Sequence, residues 1–252
     1  MTLTAGTLIG FQAFFGGVQD DKTFQPALKK FHDEYYKPGA KDDDKISAVH
    51  ALAQYRHEKI VKVLAPLLTG SSLPVRMITA RALAQFSGVD KASQELVAGL
   101  QSQANGGRKQ AAVRVEILRA LGSLRCKSAA PEIARWVEDK EVWVAKAAID
   151  ASGRIRFQEA VLPLMKALRR VEGKEGDNEA GFNPLDEVFP EGLNPGALLK
   201  ADPRRPKRPS ERDLLRAPIL GALQSITRQS FTSPKDWETW WSKNKATFKV
   251  AE

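Results

Sequence analysis

The hydrophobic positions of the chain recur in a pattern that has the spacing of one face of an α-helix. From Val113 onward, apolar or small side chains occupy positions i, i+4, i+7, i+8 and i+11, which lie on one side of a helix. The five copies are Asp44, Ala48, Ala51, Leu52 and Tyr55; Val75, Thr79, Ala82, Leu83 and Phe86; Val113, Ile117, Ala120, Leu121 and Leu124; Val144, Ala148, Ala151, Ser152 and Ile155; and Leu215, Ile219, Ala222, Leu223 and Ile226. Such recurrence is typical of a helical-repeat protein.

The middle position of the pattern is alanine in all five copies. A small side chain is needed where two helices cross closely, because a larger one pushes their axes apart, and alanine also has the highest helix propensity. We therefore expect each alanine to lie where the two helices of its own repeat cross.

A second apolar stripe follows each of the first four copies. These stripes are Ile60, Leu64, Leu67 and Leu68; Leu96, Val97 and Leu100; Ile133, Trp136 and Val137 after Pro131; and Val161, Leu164, Met165 and Leu168. The predicted helices have only about three turns each, so they need neighbouring helices to cover their apolar stripes. The sequence therefore predicts an all-α fold, an α-solenoid: a superhelix of stacked antiparallel helix pairs with about five repeats.

The pairing of short helices, together with a few local motifs, resembles the HEAT-repeat family. The motifs are Val75-Arg76 and Val113-Arg114 early in a first helix, with Pro74 just before one of them. Position 145 is alanine instead of arginine, and the first copy has Asp44-Lys45, so these two units depart from the pattern. The resemblance covers residues 44 to 248 and is to bacterial-type HEAT-repeat scaffold proteins. It implies a non-catalytic scaffold that binds another protein.

The regions at both ends of the chain differ from the repeats. Residues 1–19 form an apolar segment that resembles a signal-peptide core without the usual basic start. Residues 20–43 are predicted to be an N-terminal capping helix and linker, because Phe24, Leu28, Phe31 and Tyr35 share one helical face. Residues 44–171 hold repeats 1–4. Residues 213–252 hold the final repeat, in which Trp237, Trp240 and Trp241 share a face and are expected to close the core.

Residues 172–212 are predicted to be an insertion between the fourth and fifth repeats, since they are rich in glycine, proline and charge and lack helical periodicity. Residues 172–191 carry a net charge of −6, whereas residues 200–212 carry +4. A smaller extra segment around Asn105-Gly106-Gly107 reads as a simple flexible loop. Whether the large insertion is ordered stays open.

The chain carries a formal charge of +9, which favours an acidic partner. The candidate partner-binding residues are Arg76, Arg114, Arg216, Arg204, Arg205, Lys207 and Arg208. With Lys45, the first three would form a ladder along one surface if the repeats are in register. The alternative is that these arginines satisfy neighbouring helix ends and acids, and that the basic half of the insertion is a solvated loop.

The sequence shows no constellation that predicts catalysis, a metal site or a cofactor. Its one cysteine is Cys126, and His32, His50 and His57 do not stand at metal-ligand spacing. The expected partner is a protein, with nucleic acid as the alternative. In length, basicity and helical repeats the chain also resembles HEAT-like alkylpurine DNA glycosylases, and Trp136, Asp139, Trp143 and Asp150 loosely imitate their active-site set. A third class, the phycobilin lyase subunits, shares HEAT-like repeats but has no chromophore-site feature here.

The compartment and the oligomeric state are not predicted by the sequence. If the apolar N-terminus is a signal remnant, the protein is exported to a periplasm-like compartment, and otherwise it is cytoplasmic. The apolar segment is shorter than an ordinary membrane-spanning helix, so no transmembrane span is expected.

Overall fold

A computed structural model describes residues 21–173 and 209–250, and within these residues every regular element is helical. Residues 1–19, with the signal-like segment, lie outside this part of the chain. The α-helices are α1 (Asp21–Tyr35), α2 (Asp42–Ala53), α3 (Glu58–Leu64), α4 (Leu67–Gly70), α5 (Leu73–Leu83), α6 (Asp90–Gln101), α7 (Ala111–Leu124), α8 (Ala130–Arg135), α9 (Val142–Ile155), α10 (Val161–Glu172), α11 (Glu211–Thr227) and α12 (Pro234–Asn244).

The helices form two stacked rows. The first helices of the repeats, α2, α5, α7, α9 and α11, pack against one another in chain order. The second helices form the other row: α3 and α4 pack on α6, and α10 packs on α12. The short 3-10 turns just before α8 and α10 contact the second helices of the preceding repeats, α6 and α8 respectively. The predicted all-α solenoid is confirmed.

One continuous hydrophobic core runs between the two rows. It extends from Phe24 in α1 to Trp237 in α12, both of which are buried. Helix α1 packs on α2 through buried Phe31 and Tyr35, and the Tyr35 hydroxyl lies 2.6 Å from the Ser71 hydroxyl at the start of the next repeat. The predicted capping helix thus covers the apolar face that α2, the first helix of the row, would otherwise expose.

Two of the recurrent alanines, Ala151 and Ala222, lie at a different contact from the expected one. A Cβ built on Gly122 of α7 would lie 2.9 Å from the Cα of Ala151 in α9, and one built on Gly153 of α9 would lie 3.1 Å from the Cα of Ala222 in α11. Each of these alanines therefore faces the first helix of the preceding repeat, not the second helix of its own. Ala51 has no preceding repeat to face and is exposed.

Two of the second helices are shorter than predicted. The first is broken between α3 and α4 at Pro66, which has no N–H to donate to the preceding turn. The third, α8, begins with Pro131 in its first turn, as expected, but ends at Arg135, so Trp136 and Val137 lie beyond it.

The predicted insertion lies between α10 and α11. Helix α10 ends at Glu172 and α11 begins at Glu211. Residues 174–208, which hold most of the insertion and its acidic and basic halves, are outside the described residues.

Candidate partner-binding surfaces

Arg76 and Arg114, the two arginines of the Val-Arg motifs, bind backbone carbonyls between repeats. Arg76 donates from Nε to the Ser71 carbonyl at 2.8 Å and from Nη1 to the Ala104 carbonyl at 2.7 Å. Arg114 donates from Nη1 to the carbonyls of Asn105 and Gly107 at 2.8 and 2.6 Å. Burial lowers the pKa of both guanidinium groups. These bonds hold the loop after α6 against the starts of α5 and α7.

Asn105 is the centre of this network, and the sequence-based interpretation of its segment as a simple flexible loop is wrong. Its side chain is fully buried. The amide nitrogen donates to the carbonyls of Leu68 at 3.0 Å and Gly99 at 2.8 Å, and the amide oxygen accepts from Arg76 at 3.0 Å. One asparagine therefore satisfies carbonyls in the last turns of two successive second helices, α4 and α6. An asparagine beside Gly106-Gly107 resembles an ordinary turn, so no local pattern pointed to this role.

Arg216 lies at the junction between the fourth and fifth repeats. Its Nε donates to Glu172 Oε1 at 2.5 Å, and Arg212 donates to the other oxygen of the same carboxylate at 2.8 Å. Arg170 of α10 binds Glu211 of α11 at 2.6 Å. These ion pairs join the two helices on either side of the insertion.

The remaining predicted cations divide into two groups. Lys45 lies over the ring of Tyr35, with 5.8 Å from its ammonium nitrogen to the ring centroid. Arg204, Arg205, Lys207 and Arg208 lie outside the described residues. The contacts of Arg76, Arg114 and Arg216 are internal to the solenoid, and a role of any of these cations in binding a partner stays a prediction.

A buried acid that the sequence did not single out joins the second and third repeats. Glu116 of α7 is only 3% exposed and accepts from Arg81 of α5 through both oxygens, at 2.7 and 2.9 Å, and from Arg119 at 3.0 Å. The hydrogen bonds to Glu116 raise the pKa of Arg81. Two-point contact of this kind fixes the orientation of both side chains and therefore the spacing of the two helices.

The four residues that imitate a glycosylase set have separate contacts. The guanidinium carbon of Arg114 lies over the ring of Trp136, 5.6 Å from the ring centroid. The ring nitrogen of Trp136 donates to Glu132 at 3.1 Å. Asp139 accepts from the backbone of Glu141 at 2.8 Å, while Asp150 binds Lys146 one helical turn away at 2.8 Å. Trp143 is partly buried near the start of α9. Asp150 lies seven residues after Trp143 on α9, about 10 Å along the helix.

The aromatic residues of the last repeat form a cluster in which one tryptophan is fully buried and two are partly buried. Trp237 is fully buried and donates from its ring nitrogen to the Phe231 carbonyl at 3.0 Å. Trp240 and Trp241 are partly buried and pack edge-on against Phe248. Trp237 thus closes the core, and the other two tryptophans cover the end of the stack.

The second helices form a surface that contains a groove. A cavity of about 380 Å³ lies between α4 and α6, and its lining includes Thr69, Ala98 and Ser102 together with the charged residues Lys62 and Glu95. Leu162 on α10, in the same row, is 49% exposed. Within residues 21–173 and 209–250, no group of His, Cys, Asp and Glu side chains is arranged to hold a metal ion. In the same ranges, no helix is long and apolar enough to cross a membrane.

Comparison with known proteins identifies the repeat type. A family model described as HEAT repeats matches residues 37–115 and again residues 109–175, which together span just over half of the chain. The two matches overlap at α7 and end just after α10, so they correspond to the first four helix pairs. No curated protein matches the chain as a whole or in part.

Proposed function

Since the chain belongs to the HEAT-repeat family, whose repeats generally mediate protein–protein interactions, we propose that it is a non-catalytic scaffold that binds a protein partner on the row of second helices. The observations that carry this proposal are the groove between α4 and α6 and the exposed Leu162 on α10, which belongs to the same row. Grooves between stacked helices that are lined by small side chains accept a partner's side chains without rearrangement of the backbone.

The rigidity of the stack supports the same proposal. The Asn105 network and the Arg81–Glu116 pair connect successive repeats through buried, charge-assisted or fully satisfied hydrogen bonds. A preorganised surface loses little conformational entropy on binding, so more of the contact energy is retained as affinity. HEAT-repeat proteins are typically non-catalytic, and we propose the same for this chain.

Affinity capture from the native source tests the proposal with two matched variants. Ala98→Arg/Leu162→Arg places two long cations on the second-helix row, and Ala217→Arg/Gln224→Arg places the same cations at exposed positions of α11 in the first-helix row. We expect the wild-type chain and the α11 variant to retain the same protein, and the second-helix variant to lose it. Retention by all three forms would contradict the assignment of the face, and recovery of no protein by the wild-type chain would contradict the scaffold function.

Two further measurements address the insertion and the nucleic-acid alternative. A chain lacking residues 174–208, which keeps the ion pairs of Glu172 and Glu211, is expected to retain the partner if the second-helix row supplies the contacts, and to lose it if the insertion does. Binding to duplex DNA is expected to be absent even at low salt, where phosphate contacts are strongest. DNA binding that weakens steeply with salt would favour the nucleic-acid alternative instead.

A further inference from the structure

Three arginines share an uncommon backbone conformation at equivalent places in successive repeats. Arg125, Arg156 and Arg228 have φ angles of 52°, 59° and 62°, and they are the non-glycine residues with positive φ in the described part of the chain. Each directly follows the last residue of a first helix, α7, α9 or α11. Glycine is the usual residue at such a position, because a side chain disfavours the left-handed conformation.

Among these three arginines, Arg156 is the one whose side chain binds another repeat within the described residues. It donates from Nε to the carbonyl of Ser225 at 3.0 Å and so binds the end of the next first helix. Arg125 and Arg228 are exposed and make no side-chain hydrogen bond or ion pair to another described residue. A strained position that keeps a long exposed cation in place of glycine points to a use for that cation outside the fold.

The turns that hold these arginines form one edge of the solenoid, and this edge is basic. It consists of the five turns between the first and second helix of each repeat, residues 54–57, 84–89, 125–129, 156–160 and 228–233. The turns contain Arg56, Arg125, Lys127, Arg156 and Arg228, against Glu159 as their one acid. On the opposite edge, the described turns before α2, α5, α7 and α9 contain three acids, Glu138, Asp139 and Glu141, and five cations, Lys37, Lys41, Arg108, Lys109 and Lys140. The first edge therefore has as many cations as the opposite edge but fewer acids to neutralise them.

A cavity lies on this edge, next to two of its cations. It has a volume of about 480 Å³ and lies between the turns of the second and third repeats, where two cations, Arg125 and Lys127, and one carboxylate, Asp90, line it. The turn of the second repeat has Gly88 at positive φ and no cation. The basic turn of the third repeat therefore borders an open space large enough for a side chain of a partner.

We propose that this turn edge binds an extended acidic peptide segment of the partner, with Arg125 and Arg228 as the main contacts. The inference rests on the proposed function, because it names the chemistry of the protein that the scaffold binds. The first helices approach one another to near van der Waals contact at Gly122 and Gly153, so successive turns lie about 8–10 Å apart. Three residues of extended chain span about 10 Å. A peptide with a carboxylate at every third residue thus matches the spacing of the turns, and arginine is the cation that binds carboxylates in two-point contacts.

The test uses a fluorescent twelve-residue peptide with glutamate at every third position and serine or glycine elsewhere. Arg125→Gly/Arg228→Gly is expected to weaken its binding about tenfold, while Arg125→Lys/Arg228→Lys retains most of it because the charge is kept. The matched control, Arg108→Gln/Lys109→Gln, removes two cations from the opposite edge and is expected to change the affinity by about twofold or less. Equal losses in the two charge-removing variants would overturn the proposal, because net charge alone would then explain binding.

Thermal stability separates binding from a role in the fold. Since glycine relieves the left-handed strain, the Gly variant is expected to unfold at a temperature about 2–4 °C higher, although it binds the peptide less well. If the two arginines instead cap their helices, the same variant unfolds at a lower temperature with unchanged peptide affinity, and the proposal fails.

The single cysteine reports where the peptide lies. Cys126 follows Arg125 in the cavity, and its thiol hydrogen-bonds with Ser128 at 2.9 Å. Burial raises the pKa of this thiol, but hydrogen bonds with Ser128 and Ser93 outweigh burial and lower it overall, which favours the reactive thiolate. Saturating peptide is expected to slow alkylation of Cys126 several-fold. An unchanged rate at saturation would place the peptide elsewhere and overturn the proposal.

Two outcomes distinguish this inference from the proposed function. If wild-type chain captures a protein partner that the Gly variant retains equally, the scaffold function holds and only the acidic-edge inference is wrong. If a single-stranded oligonucleotide of twelve nucleotides displaces the peptide and binds more tightly at the same salt, the edge is a nucleic-acid surface and the inference is also wrong.

Discussion

At the scale of single residues, the spacing of the repeats depends on positions where no side chain is tolerated. Gly122 and Gly153 each lie against the backbone of an alanine in the next first helix. Glycine lowers helix stability by up to about 1 kcal/mol relative to alanine, so its presence in the last turns of α7 and α9 has a cost that the close approach of the helices offsets. The glycine of one repeat and the alanine of the next therefore act together to set the distance between the two first helices.

Substitution of these glycines tests whether the close contact between first helices requires them. In Gly122→Ala the new Cβ would lie 2.9 Å from the Cα of Ala151 and 3.0 Å from its Cβ, so α7 and α9 must move apart. We expect a net loss of about 1–2 kcal/mol in the free energy of unfolding, because overpacking exceeds the gain in helix propensity. Urea denaturation measures it. Gly221→Ala in α11, where nothing lies within 4 Å of the added Cβ, should stabilise the protein by up to about 1 kcal/mol. Equal effects at the two sites would refute the close-contact explanation.

At the scale of helices and turns, the ends of the second helices are satisfied by side chains from neighbouring repeats. The last carbonyls of a helix have no partner within it. Asn105 supplies donors to Leu68 in α4 and Gly99 in α6, and Arg76 in turn holds Asn105. The helix ends therefore connect the repeats as well as the apolar core does.

Replacement of Asn105 by alanine should lower the free energy of unfolding more than alanine substitutions in turns usually do. Asn105→Ala removes the amide donor from the buried carbonyls of Leu68 and Gly99, of which Gly99 keeps a long bond from the Ser102 N–H at 3.4 Å. We expect about 1–3 kcal/mol of destabilisation in chemical denaturation. Gln103→Ala, at an exposed position of the same 3-10 turn, is expected to change stability by about 0.5 kcal/mol or less. A small effect of the Asn105 substitution would show that water replaces the amide at these carbonyls.

At the scale of the whole molecule, the described contacts are mostly between neighbouring repeats, so damage at one end should stay local. Trp237 is the largest fully buried side chain and belongs to the last helix, where α12 contacts α10. In a globular core, removal of such a residue weakens every element. In a solenoid, it weakens the terminal repeat first.

Hydrogen exchange distinguishes these behaviours. In Trp237→Ala, whose cost is about 3–5 kcal/mol, we expect the backbone amides of α10, α11 and α12 to lose protection while those of α5 and α7 keep theirs. Trp241→Ala, at a partly buried position of the same helix, is expected to have a smaller effect on the same helices. A uniform loss of protection across all helices would show that the stack unfolds as one cooperative unit.

The sequence by itself determined the helical class, the repeat register and the capping helix, because these follow from the spacing of apolar residues along a helix, which is a local property. Val113, Ile117 and Leu121 share a face whatever surrounds them, and that face must be buried. Only the tertiary structure decided which helix each alanine faces, that Asn105 is buried, and that Arg125 and Arg228 lie on one edge. Contacts between residues distant along the chain depend on how repeats are stacked, and no local pattern encodes the direction in which one repeat meets the next.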